Sequence, residues 1–296
     1  MKTTKLTLMA IMAVTTLVAC SSDEERNDMY IPDEGEIVLQ MVHPGTVSLN
    51  QKSMTRATET AFEANDSIGV YVTAADAALQ LGGNEVNNEL FVYNGTLWNS
   101  KRKVYWNEGL HNVYAYYPYS KQVNDVQDYS FSVQENQNSV WGYTHSDFLW
   151  AGATNVEASA SPVTMQFAHK MSSVVVLLEK GENFEGSIPA NAEVFLYSTV
   201  TKATIDLATG DVARDSYAGT GTICCRKMSN TEYWAIVVPQ NIASRRPLVE
   251  VVIGDVSYLM EGKISYKPGM RHTITVTLDK NPEQTKIDIG GEIVGW

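Results

Sequence analysis

From Glu36 onward, apolar and polar residues alternate in short runs, and Gly, Pro, Asn or Asp interrupts them about every eight to twelve residues. Successive side chains of a strand point to opposite faces, so such runs cannot bury their apolar sides without a second layer. Asp128 to Val133 and His272 to Leu278 alternate most cleanly. The pattern predicts an all-β chain of sandwiches rather than parallel sheets, with no helix of ordinary length beyond a short helical turn at Ala74 to Leu81. A first strand is expected at Glu36 to Val42, stopped by His43-Pro44-Gly45, and further ones at Val104 to Trp106 and Lys286 to Val294. A single core rarely organises as many as 296 residues. The small-residue stretch Ala158 to Pro162 is the natural boundary between an N-terminal domain, 36–158, and a C-terminal domain, 159–296.

Ahead of the strands lies a different composition. Lys2 and Lys5 precede an apolar run, Leu6 to Val18, that is too short to span a bilayer, and Leu17-Val18-Ala19-Cys20 ends it. A small residue before Cys, with Leu three positions upstream of the Cys, is a bacterial lipobox. Residues 1–19 are therefore expected to be a removed signal peptide and Cys20 the lipidated first residue. Several acyl chains anchor a protein stably where one is marginal. Residues 20–35 are polar and acidic, with Ser21-Ser22-Asp23-Glu24-Glu25 at their head, and read as a flexible tether; the run suits either a plain solvated linker or a tag for export to the cell exterior.

The formal charge of -12, from 34 acidic and 22 basic residues, argues against a nucleic-acid partner. Lys101-Arg102-Lys103 and Arg245-Arg246 read as isolated solvated charges. No GxSxG, GxGxxG, P-loop or HExxH motif occurs, the five histidines are far apart in sequence, and the carboxylates are scattered through loops. Neither a catalytic set, a cofactor nor a metal site is expected; Asp206, Asp211 and Asp215 lack calcium-loop spacing. Cys224 and Cys225 are adjacent and would face opposite sides of a strand. Trp98, Trp141 and Trp150 suit a sugar platform or, more simply, a core.

Several phrases in fixed order carry a family resemblance: the lipobox, Thr55-Arg56-Ala57, Asp66-Ser67-Ile68-Gly69-Val70-Tyr71 and Tyr114-Ala115-Tyr116-Tyr117-Pro118-Tyr119. Met165-Gln166-Phe167-Ala168-His169-Lys170-Met171-Ser172, Ile205-Asp206-Leu207-Ala208-Thr209-Gly210, Val238-Pro239-Gln240 and Tyr266-Lys267-Pro268-Gly269-Met270-Arg271-His272 complete it. Together they resemble the fimbrillin family, in particular its Mfa-like branch. The resemblance implies two transthyretin-like β-sandwich domains in tandem, in a structural or adhesive subunit of type V pili at the cell surface. It further implies a lipid anchor in the outer membrane, other pilin subunits as partners, and a receptor or glycan on a host or bacterial surface. Maturation in such proteins is a cut by an arginine-specific protease that removes the first strand, whose groove a neighbouring subunit then fills. Carried over, the cut falls between Arg56 and Ala57, and the departing strand presents Ile37, Leu39 and Met41. Lys286 to Trp296 is either a donor strand or the ordinary last strand of the second domain. The alternative is a monomeric glycan-binding outer-membrane lipoprotein.

Overall fold

The computed structural model describes residues 32–45, 61–290 and 294–296. Alternation becomes strand nearly everywhere it was legible. The first half contributes β1 (Leu39–Val42), β2 (Ser67–Ala74), β3 (Val86–Tyr93), β4 (Trp98–Ser100), β5 (Leu110–Tyr117) and β6 (Tyr129–Ser132). A five-residue helix, α1 (Val140–Thr144), precedes β7 (Leu149–Glu157), β8 (Val163–Gln166) and β9 (Ala168–His169). There follow β10 (Ser172–Lys180), β11 (Glu193–Val200), β12 (Lys202–Ile205), β13 (Val212–Arg214), β14 (Thr220–Cys224), β15 (Arg226–Lys227) and β16 (Glu232–Val237). The chain closes with β17 (Gln240–Ile253), β18 (Val256–Tyr266), β19 (Met270–Leu278), β20 (Lys286–Ile289) and β21 (Val294–Gly295).

The sheet β4-β3-β2-β5-β7-β9 is apolar on both faces. Along β5 the side chains sort residue by residue: Val113 and Ala115 enter a smaller core, Tyr114 and Tyr116 a larger one. The smaller core is closed by a two-stranded ribbon, β1 beside β8, and by the segment around Val104. The larger core fills the space between the sheet β14-β11-β17-β18 and the sheet β15-β16-β10-β19-β20, with β21 also on β19. A further, three-stranded sheet, β13-β12-β6, joins strands from both halves of the chain. β8 and β9 follow residue 158 and hydrogen-bond with β1 and β7, which precede it.

β1 runs parallel to β8, and β10 parallel to β19, while the other strand pairs are antiparallel. Two expectations are corrected. Ala74 to Leu81 forms turns instead of a helical turn, because Ala75 N donates to Leu110 O and Leu79 is drawn into the larger core. Val104 to Trp106 makes a single bridge, Tyr105 with Glu36, in place of a strand.

Candidate functional site

The beginning of the folded chain is held by two different partners in succession. Trp106 N donates to Gly35 O and Ile37 N to Val104 O, both at 2.9 Å. The chain then leaves that segment and runs along β8, with Leu39 opposite Val163 and Val42 opposite Gln166. This change of partner is why β1 is four residues long where alternation predicted seven, Glu36 to Val42. The period of two still holds: Ile37 and Leu39 are buried in the smaller core beside Met165 and Phe167, and Met41 packs against it. Among the described residues β1 has no strand on its other edge. A groove of about 480 Å³ lies there instead, with Leu39, Met41, Phe62, Leu97 and Trp98 in its walls.

Charges fasten the start of this segment. Lys103 Nζ donates to Asp33 Oδ2 at 2.8 Å and to Glu36 Oε2 at 3.1 Å, and Tyr105 Oη donates to Asp33 at 2.9 Å. The hydrogen bond to Lys103 holds the Asp33 carboxyl below its usual range. Arg102 pairs with Glu89 at 3.0 Å. Of the five charges expected to be merely solvated, Arg102 and Lys103 thus hold neighbouring elements in place, and Arg245 meets Glu261 at 3.4 Å. No local signal pairs Lys103 with Glu36, which lies 67 positions away.

At the other end, His43 is buried against Phe62, with ring centroids 4.9 Å apart, and near His169 at 5.8 Å. Its Nδ1 accepts from Gly45 N at 3.1 Å. Burial, and then the neighbouring His169, lower its pKa from 6.5 to about 4. Between those values the unfolded chain takes up a proton that the folded chain refuses, so stability falls as pH falls through this window. The loss is at most on the order of 3 kcal/mol. Denaturant unfolding at pH 7 and pH 4.5 is expected to record it, and His43→Gln to flatten the difference.

The other end of the chain sits in its own sheet. Ile287 pairs with Val276, Ile289 with Ile274, and Val294 with Arg271. A Cβ at Gly262 would overlap Ile289 Cδ1 and lie 2.8 Å from Leu248 Cδ2, so the missing side chain forms the notch that receives Ile289. Trp296 stacks on His169 at 3.9 Å, with ring planes 13° apart, and its backbone N donates to Gly269 O at 3.0 Å. Of the two possibilities for Lys286 to Trp296, this is the geometry of a last strand.

Two of the recognisable phrases meet at the start of the parallel pair. Gly269 N donates to Met171 O, Ser172 Oγ to Lys267 O at 2.6 Å, and Lys267 N to His272 Nε2 at 3.0 Å. His169, at the end of β9, is paired with Asp147 at 3.0 Å. Asp206 and Asp215 use carboxyl oxygens in turns, accepting from Ala208 N and Tyr217 N. Trp150 donates from Nε1 to Leu207 O under the Lys170 ammonium, and Trp98 packs on Phe62 and Tyr93, whereas Trp141 is 60% exposed. Cys224 and Cys225 are free thiols, the second buried. Cys20, Arg56 and Ala57 lie outside the described residues.

Comparison with known proteins agrees with this architecture. A candidate cell adhesion protein from Bacteroides ovatus, known from a crystal structure, superposes with a TM-score of 0.69 over 88% of this chain and 96% of that one, at 22% identity; that likeness concerns fold. A candidate fimbrium subunit of Bacteroides uniformis, Fim1C, is 23% identical over 97% of this chain and 93% of its own length. A candidate fimbrium tip subunit of Bacteroides ovatus, also called Fim1C, is 28% identical over 60% of this chain, and the match spans only 36% of that longer protein. Residues 55–296 match the fimbrillin-like family model, and the chain therefore belongs to the fimbrillin-like family.

Proposed function

We propose that this chain is a fimbrium subunit, anchored in the outer membrane through acyl chains on Cys20, and activated for assembly by a cut between Arg56 and Ala57. The cut frees the segment bearing Ile37, Leu39 and Met41, and a strand from another subunit takes its seat. The observation that carries this reading is the state of β1: apolar side chains sunk in the smaller core, one edge paired, the other open to a groove. A strand held in this way is replaceable by another of the same alternation, because backbone pairing is independent of sequence and the pockets read every second side chain. The seated C-terminal segment supports a terminal, accepting place in the fibre for this subunit, in keeping with the name of the Bacteroides ovatus relative. Tandem sandwich domains and a surface location outside the outer membrane complete the reading. Structural subunits of this kind act by assembly and adhesion, without turnover.

Digestion with an arginine-specific protease, followed by mass analysis and size-exclusion chromatography, tests the proposal. The expected products are a body beginning at Ala57 and, once a donor strand peptide is supplied, a stable complex with it. A folded monomer resistant at Arg56 would overturn the strand-exchange role.

A further inference from the structure

Apolar alternation alone does not fix where a strand entering the seat of β1 stops. A slip by one residue is excluded, because it turns the apolar face outward. A slip by two keeps that face inward, and since Ile37, Leu39 and Met41 recur every second residue, a displaced strand still fills two of their three seats. The charged contact at the start of the seat distinguishes these registers. Glu36 is 4% exposed, and its Oε2 accepts from Lys103 Nζ at 3.1 Å and from Asp33 N at 2.9 Å. Two residues along a strand are roughly 7 Å, which separates the carboxylate from the ammonium.

Lys103 does not depend on β1 for its own place. Arg102 N donates to Glu89 Oε1 and Arg102 Nη2 to Glu89 Oε2, both at 3.0 Å, and Lys101 N donates to Leu90 O at 2.9 Å. These bonds fasten the segment carrying Lys103 to β3, and the next residue, Val104, is buried in the smaller core. Departure of the early segment therefore removes the partners of the ammonium while leaving it positioned for another carboxylate. Backbone pairing with Val104 O and Trp106 N is open to any strand and selects nothing. At Lys103 a carboxylate offers counter-charge and acceptor oxygens together, an amide lacks the charge, and a basic residue is repelled. We propose that the strand accepted in place of β1 carries a carboxylate at the position of Glu36, with apolar residues one, three and five positions later, and that Lys103 fixes its register by pairing with that carboxylate. The inference rests on the strand exchange above and adds which strand is accepted.

The test uses the chain cut after Arg56 and freed of its early segment, with a fluorescent peptide of residues 33–45 as the probe, read by anisotropy. The parent peptide is expected to bind. Glu36→Gln in the peptide should weaken it roughly 5- to 20-fold, a factor kept modest by the half-exposed ammonium. Glu34→Gln, which removes an equal charge at an exposed position, should leave binding within about twofold. Lys103→Met in the chain should weaken the parent peptide and erase its advantage over the Glu36→Gln peptide, a coupling that general destabilisation does not produce. Register is read by oxidative cross-linking of a Gln40→Cys peptide, which should favour a Thr164→Cys chain over a Gln166→Cys chain; adding Glu36→Gln should shift product toward the latter. Failure of the parent peptide to bind would overturn strand exchange itself, and this inference with it. Binding of the parent with no loss on Glu36→Gln, with an equal loss on Glu34→Gln, or with the same loss in the Lys103→Met chain would overturn the charge-set register alone.

Discussion

Leu39→Ala is expected to cost about 2–5 kcal/mol, the range for deleting a buried Leu side chain whose surroundings relax only in part. Leu39 is 5% exposed and sits among Met165, Phe167 and Ile37 in the smaller core. Among the described residues its strand has ladder hydrogen bonds on one edge only, and each contributes a net ~0.5–1.5 kcal/mol, so apolar anchors dominate the hold on β1. Loss of that one side chain should therefore show twice: in a lower denaturant midpoint for the intact chain, and in faster release of the segment after a cut at Arg56. Gln40→Ala, on the exposed face of the same strand, should leave both within error. Equal effects from the two substitutions would mean that side-chain burial does not hold the strand.

Gly69→Ala is expected to cost roughly 2–6 kcal/mol, because a Cβ there falls within the Tyr116 ring and 2.5 Å from Asn88 Oδ1. Neither neighbour can retreat cheaply. Tyr116 is 1% exposed, its hydroxyl donates to Asn88 Oδ1 at 2.8 Å and meets Ser120 O at 3.1 Å, and its ring stacks near Phe148. Moving the ring adds overpacking and leaves a buried hydroxyl without its partners. The site lies in β2, at the centre of the two-faced sheet, so both cores should lose stability together. Thermal unfolding followed by tryptophan fluorescence would record the drop. This contact gives a physical reason for glycine between Ile68 and Val70, whose side chains both enter the smaller core.

Where alternation is strict, local pattern marks the strand: in β19 every second residue from His272 to Leu278 is buried. In β18 the same holds from Tyr258 to Tyr266, although the strand expected there, Ser257 to Glu261, stops well short of the observed end. Where a partner imposes the strand, local pattern fails. The first half of β17, with Arg245, Arg246 and Pro247, is polar and broken, yet it pairs with β18 across two register shifts. Parallel pairing of β10 with β19 joins segments nearly 100 positions apart, and nothing in either alone reveals its neighbour. The apolar anchors Ile37, Leu39 and Met41 were readable because burial follows the period of two. The Lys103–Glu36 clamp and the cavity that gathers His43, Asp147, His169 and Trp296 were not, since only the fold brings these residues together.

The central claim is that β1 is a strand meant to leave, and locking it in place tests this most directly. Gln40 and Thr164 are paired across β1 and β8 and are both exposed, at a spacing compatible with a disulfide between adjacent strands. In the Gln40→Cys/Thr164→Cys chain, oxidised and then cut at Arg56, the early segment should remain attached and an added donor strand peptide should not bind. Reduction of the same sample should release the segment and permit binding, as in the unlocked chain. Binding of the donor at equal rates with the lock closed and open would contradict the account, because the groove would then be available without departure of β1.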